Sequence, residues 1–285
     1  MKKVLEVCVD SLHSARAAIT AGADRLELCS ALFAGGLTPY AALLRQIREE
    51  SRIPIRCLIR PRAGDFLYAD DELQLMAAQI RELRAAGADG FVIGCLTPEG
   101  RLDNQAMAAL IEAADGSGLT LHRAIDVSAD PEETYLDAAS LGIDTVLTSG
   151  CASVCTNGTD VIRRLLRLRD RCSGPEVLIG AGVSAAVIAS FRKALPQACA
   201  FHMSGKTEME SGMVFRRTGV PMGLPGLDEW HQQYTDPRAV AEAKAVLTDT
   251  PLLSFRCMKQ FLFVLQLSFR RSRSGVEKSQ SLSTR

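Results

Sequence analysis

Several short apolar runs of this chain alternate with residues that can do chemistry. Glu6, Cys8 and Asp10 alternate with Leu5, Val7 and Val9, and Glu27 and Cys29 with Leu26 and Leu28. Arg60 and Arg62 flank Pro61, His122 and Arg123 follow Thr120-Leu121, and Ser149-Gly150 and His202-Met203-Ser204-Gly205 close two later runs. In extended backbone, successive side chains face opposite ways. The apolar members of each run therefore share one face, and Glu6, Cys8, Asp10, Glu27, Cys29, Arg56, Arg60 and His122 share the other. Burying an unpaired charge costs several kcal/mol. Such a set either closes on itself as an ion network or exists to meet a ligand.

Two ligand chemistries suit these residue types. Glu27 or His122 can act as general base with Asp126 orienting or acting as acid, while Arg60, Arg62 and Arg123 hold a carboxylate or phosphate through forked hydrogen bonds. Carboxylates beside arginine are expected ionised and His122 near neutral, a workable pairing at pH 7. Gly180-Ala181-Gly182 and Ser204-Gly205 follow two late apolar runs, so Gly182 and Ser204 are further anion-binding candidates, although tight turns explain the same glycines. The second chemistry is a metal site. Cys8 and Cys29 are soft ligands that suit Cu(I), with two small residues packing under a site as the alternative. Cys151 and Cys155 lack a zinc quartet.

These residues need elements that bring them to one place. Eight strand-like runs are expected near 4–9, 25–29, 55–60, 90–94, 119–123, 144–148, 176–180 and 199–204. Helix-compatible stretches lie between them, near 11–21, 39–50, 71–86, 103–115, 131–141, 158–171 and 184–195, with a last short helix at 236–247. The phrases Ala21-Gly22-Ala23-Asp24, Ala86-Gly87-Ala88-Asp89 and Leu141-Gly142-Ile143-Asp144 repeat one helix-to-strand turn. Strands alternating with helices, with reactive residues at the strands' carboxyl ends, predict α/β architecture: a single (β/α)8 TIM barrel with a divergent C-terminal extension. The expected division is a barrel domain over 1–248 and a poorly ordered tail over 249–285.

Composition narrows the function. Lys plus Arg equals Asp plus Glu at 33 each, so no global field favours nucleic acid or an anionic membrane. Nine scattered cysteines fit reduced cytoplasmic thiols better than a disulfide framework. The apolar run near 261–265 is too short and too interrupted to span a bilayer, which needs ~20 apolar residues. The tail's phenylalanines, Phe255, Phe261, Phe263 and Phe269, fit packing on a neighbour, covering the barrel bottom, or disorder.

Longer strings carry a resemblance. Leu5-Glu6-Val7-Cys8-Val9-Asp10-Ser11, Gly22-Ala23-Asp24-Arg25-Leu26-Glu27-Leu28-Cys29, Gly35-Gly36-Leu37-Thr38-Pro39 and Ile59-Arg60-Pro61-Arg62-Ala63-Gly64-Asp65-Phe66 resemble the CutC copper homeostasis family. So do His122-Arg123-Ala124-Ile125-Asp126, Val146-Leu147-Thr148-Ser149-Gly150 and Phe201-His202-Met203-Ser204-Gly205. The likeness runs from about residue 3 to 248, with Ala63 where the family usually has Gly and Ile125 where it has Phe. It implies a cytoplasmic (β/α)8 barrel, a homo-oligomer (dimer or tetramer), and copper handling, with Cu(I) on Cys8 and Cys29. No organic cofactor is implied. The expected partner is a copper ion or a small anionic ligand. Two other readings stay open: an enzyme acting on a small phosphorylated or carboxylated metabolite, and a non-catalytic scaffold whose tail binds a partner.

Overall fold

The computed structural model describes residues 2–217, 219–220, 222–223 and 228–250. Residues 1–249 form one compact unit, and the segment expected to be a tail falls almost wholly outside the described residues.

Eight parallel strands close into a barrel: β1 (Val4–Val9), β2 (Arg25–Leu28), β3 (Ile55–Leu58), β4 (Gly90–Ile93), β5 (Gly118–Leu121), β6 (Thr145–Thr148), β7 (Glu176–Ile179) and β8 (Ala200–Met203). The helices are α1 (Leu12–Thr20), α2 (Ala41–Glu50), α3 (Asp70–Ala85), α4 (Asn104–Ala114), α5 (Pro131–Ser140), α6 (Thr159–Cys172), α7 (Ala185–Ala194) and α8 (Pro237–Thr248). β8 pairs with β1 in parallel, and this contact shuts the ring. The alternation sorts side chains as expected. Leu5, Val7, Val9, Leu26, Leu28, Ile55 and Cys57 pack in the large core, whereas Cys8, Cys29, Leu58 and Val92 form a separate cluster.

The repeated turn has a physical purpose. Gly22, Gly87 and Gly142 adopt φ of 92°, 103° and 76°, the left-handed geometry that ends a helix without a Cβ clash. The aspartate two residues on then accepts an N–H from the first or second residue of the previous strand. Asp24 accepts from Leu5, Asp89 from Ile55 and Asp144 from Leu119, at 2.7–2.8 Å. Each unit thereby fixes the height of its neighbour, and the carboxyl ends fall on one rim.

Two features were not expected from the sequence. A short 3-10 helix at Arg123–Val127 follows β5, so His122 caps it rather than lying within the strand. The excursion after β8 contains an antiparallel hairpin, β9 (Lys206–Glu210) with β10 (His231–Thr235).

Candidate metal centre and ligand cavity

Six side chains from five strand ends, Cys8, Glu27, Leu58, Arg60, His122 and His202, line an open cavity of about 420 Å³. Gly182, Ser204, Arg123 and Lys206 also line it.

Cys8 lines the cavity, and Cys29, which is not among the lining residues, meets it from behind. Cys8 Sγ lies 3.6 Å from Cys29 Sγ and donates to Glu27 Oε1 at 3.3 Å. Cys29 Sγ donates to the Val9 carbonyl at 3.5 Å. Cys29 is fully buried beside Leu58 and Val92. The hydrogen bond to Cys29 and burial push the Cys8 thiol well above its ordinary 9.0. With no metal bound, Cys8 is therefore a protonated thiol at neutral pH.

His202 completes this part of the lining. Because β8 closes against β1 with Glu6 opposite His202, its Nδ1 comes 2.8 Å from Glu6 Oε1. Cys8, Glu27 and His202 each present a ligand atom, all within 4.8 Å of one another. Burial alone would raise the Glu6 carboxyl, but Arg25 and His202 hold it near 2. Burial would lower the His202 imidazole, yet Glu27, Cys8 and Glu6 lift it well above 6.5. Burial also raises the Glu27 carboxyl against the pull of His202. His202 is a functional candidate absent from the sequence-based set; its alternation with Phe201 and Met203 was the available signal.

His122 and Arg60 form another part of the lining. His122 Nδ1 accepts from the Ala124 N–H at 3.1 Å, which assigns the ring proton to Nε2. Burial and the nearby Arg60 cation push its pKa down to about 3. The expectation of a base titrating near neutrality is thus corrected: His122 is a neutral donor. Arg60 gives two bonds from one terminal nitrogen to the Ala34 and Gly36 carbonyls and one from the other to Gly64. The loop reaches it because residue 35 is glycine, with φ of 86° and room for a Cβ only 3.0 Å from that guanidinium. Phe66 packs on both groups, its centroid 4.6 Å from the His122 ring and 5.3 Å from Arg60 Cζ.

The remaining candidates divide. Gly182 and Ser204 lie at the mouth. Arg123 lines the cavity but already binds Asp126 at 2.7 Å and Ser149 at 2.8 Å. Arg62 is a correction: it is not among the lining residues and pairs with Glu72 at 2.6 Å and Asp65 at 3.0 Å. Asp126 is another. Its oxygens accept from Thr148 Oγ1, Ser149 N and Cys151 N, so it holds the loop after β6 and does not line the cavity.

His122 sits where it does because residue 94 has no side chain. A Cβ there would lie 2.5 Å from Cε1 and 2.6 Å from Nδ1 of the imidazole. Gly94→Ala is expected to displace the ring and cost about 1–3 kcal/mol by overpacking. A thermal melt checks it, and an unchanged midpoint would show that the ring has room to yield.

Comparison with known proteins agrees with this fold. The chain matches the CutC family over residues 3–207. The human copper homeostasis protein cutC homolog is 38% identical over 245 residues, covering 85% of this chain and 88% of that one. A CutC family protein of Xanthomonas campestris is 46% identical over 203 residues, covering 71% and 83%. The crystal structure of a copper homeostasis protein CutC from Streptococcus agalactiae superposes with TM-score 0.66 at 26% identity, covering 71% of this chain and 98% of that one. The class is a closed eight-stranded α/β barrel with a cavity at the carboxyl rim. The chain belongs to the CutC family.

Proposed function

We propose that this protein serves copper homeostasis by holding Cu(I) as cargo on Cys8 and Cys29, with His202 and Glu27 beside them. The supporting observation is the sulfur pair, 3.6 Å apart, with Cys8 lining the cavity and Cys29 fully buried behind it. Metal–thiolate bonds are about 2.3 Å long, so one ion can touch both sulfurs without moving a strand. Soft thiolates and an imidazole select Cu(I) over harder ions. Binding displaces the thiol proton that burial and Cys29 hold on Cys8, so uptake releases protons and strengthens as pH rises. The raised pKa of His202 works the same way. The reading includes a reducing, cytoplasmic setting and a homo-oligomer, dimer or tetramer. The eight described cysteines are all free. Among the described residues no helix is long and apolar enough to cross a membrane.

Titration of Cu(I) against a competing chelator tests it. Even changes to residues around a metal's ligands cost about 10–100-fold in affinity, so Cys8→Ser with Cys29→Ser is expected to lose more than about 100-fold. Wild-type affinity in that double variant would overturn the assignment. Copper-loaded protein should also exclude thiol reagents from Cys8, whereas the free protein should react slowly.

A further inference from the structure

Copper on the sulfurs leaves part of the cavity lining unexplained. Four buried side-chain polar atoms have no hydrogen-bond partner among the described residues, and three of them belong to residues lining this cavity: Glu27 Oε2, Arg60 Nε and His122 Nε2. Buried polar groups are paired in the large majority of cases, and leaving one unmet costs about 1–3 kcal/mol. Three in one cavity point to a ligand that pairs them.

The chemistry of that ligand follows from the atoms. Arg60 Nε and His122 Nε2 both carry hydrogens, the latter because Nδ1 already accepts from Ala124. Both groups pack on Phe66, and both line the same cavity. Two unpaired donors in one cavity call for an acceptor. Arg60 also carries a charge that its carbonyl partners do not neutralise, and it pairs with no carboxylate among the described residues. Lys206, at the mouth, likewise has no carboxylate partner among them. Water can satisfy a donor, but a cation at 9% exposure calls for an anion. Glu27 Oε2, facing the same space, is matched by a ligand hydroxyl. The volume of about 420 Å³ suits a small molecule, being near the lower end of the usual range for ligand pockets.

We infer that the cavity binds a small hydroxyl-bearing oxyanion, a phosphate ester or a hydroxycarboxylate, with its anionic group against Arg60 and His122 and its hydroxyl on Glu27. Lys206 attracts it at the mouth. His122 acts here as a donor and not as a base, a role that burial and the Arg60 cation fix by keeping the ring neutral. The site does not depend on the sulfurs carrying copper.

Calorimetric titration of the full copper-free chain with glycerol 3-phosphate and, separately, lactate tests the inference. Binding of either one, saturable and weakened about tenfold or more in His122→Asn, is the expected result, since a hydrogen bond to a charged group contributes about 1.5–3 kcal/mol. His122→Asn is chosen because the asparagine oxygen can still cap Ala124 while the Nε2–H is lost. Glycerol 3-phosphate alone binding assigns a phosphate ester, and lactate alone a hydroxycarboxylate. Lys206→Ala, at an exposed position, should weaken the same titration without threatening the fold. In Cys8→Ser with Cys29→Ser, anion binding should persist. No saturable heat with either probe, or unchanged affinity in both His122→Asn and Lys206→Ala, overturns the inference.

Discussion

Arg25→Ala is expected to destabilise the barrel by about 3 kcal/mol, the lower end of the range for breaking a buried ion pair. Glu6 has no exposed surface, and Arg25 is its only guanidinium partner among the described residues. Removing that cation still leaves the carboxylate bonded to His202, at 2.8 Å, and within reach of the Arg56 charge, which is why the cost falls at the low end. For a chain of this size each kcal/mol moves the melting midpoint by about 2–4 °C, so a drop of roughly 6–12 °C should appear in a calorimetric scan. The control is Arg25→Ala combined with Glu6→Gln. It removes the uncompensated charge while keeping an acceptor for His202, so part of the lost stability should return. A single variant melting within a degree of wild type would show that the pair contributes nothing net, an outcome known for some ion pairs whose desolvation offsets their attraction.

That pair also shows where sequence reading ends. The inward placement of Glu6 was legible from its alternation with Leu5 and Val7, because a strand's period of two leaves no third choice. Its partners were not equally legible. Arg25 is opposite on the next strand, but His202 lies 196 residues away and meets Glu6 only because the last strand closes on the first. Register across a closing seam is set by packing all round the ring and leaves no local mark. The same limit explains Arg62 and Asp126. Their types suit anion binding and acid catalysis, yet Glu72 and Asp65 take the one, and Thr148, Ser149 and Cys151 take the other. The hairpin after β8 was missed for a different reason. Its strand Lys206–Glu210 is exposed along its whole length, so it lacks the apolar alternation by which a half-buried strand is recognised. The Gly-x-Asp turns were legible because their repeated phrase marks the helix end locally, although the aspartates' bonds to the previous strand left no local mark.

Acid should unfold this protein early, and the sign follows from two buried groups. The His122 imidazole is held near a pKa of 3 in the fold, against about 6.5 when unfolded. Between those values the unfolded chain binds a proton that the native one refuses. Stability is therefore full above pH 6.5 and falls by up to about 1.4 kcal/mol per pH unit below it. Glu6 acts lower down. Its carboxyl is ionised to about pH 2 when folded, from an ordinary 4.5, so its contribution is present above pH 4.5 and is lost as pH falls toward 2. Glu27 opposes them over part of the range, since its raised pKa favours the native state below 4.5 and loses that advantage as pH rises. His202 acts on the alkaline side. Its raised pKa stabilises the fold fully below 6.5 and progressively less as pH climbs through the native value. On the acid side the His122 and Glu27 slopes oppose each other, and removing the imidazole isolates the His122 part. Urea unfolding at pH 7.5, 6.5, 5.5 and 4.5 should show a loss of a few kcal/mol between pH 6.5 and 4.5 in the wild type. His122→Asn has no group to protonate there and should show a flatter limb, even if it starts less stable. Parallel limbs in the two proteins would mean that His122 takes up its proton without opposing the fold, and that its contact with Arg60 and Phe66 does not keep it neutral.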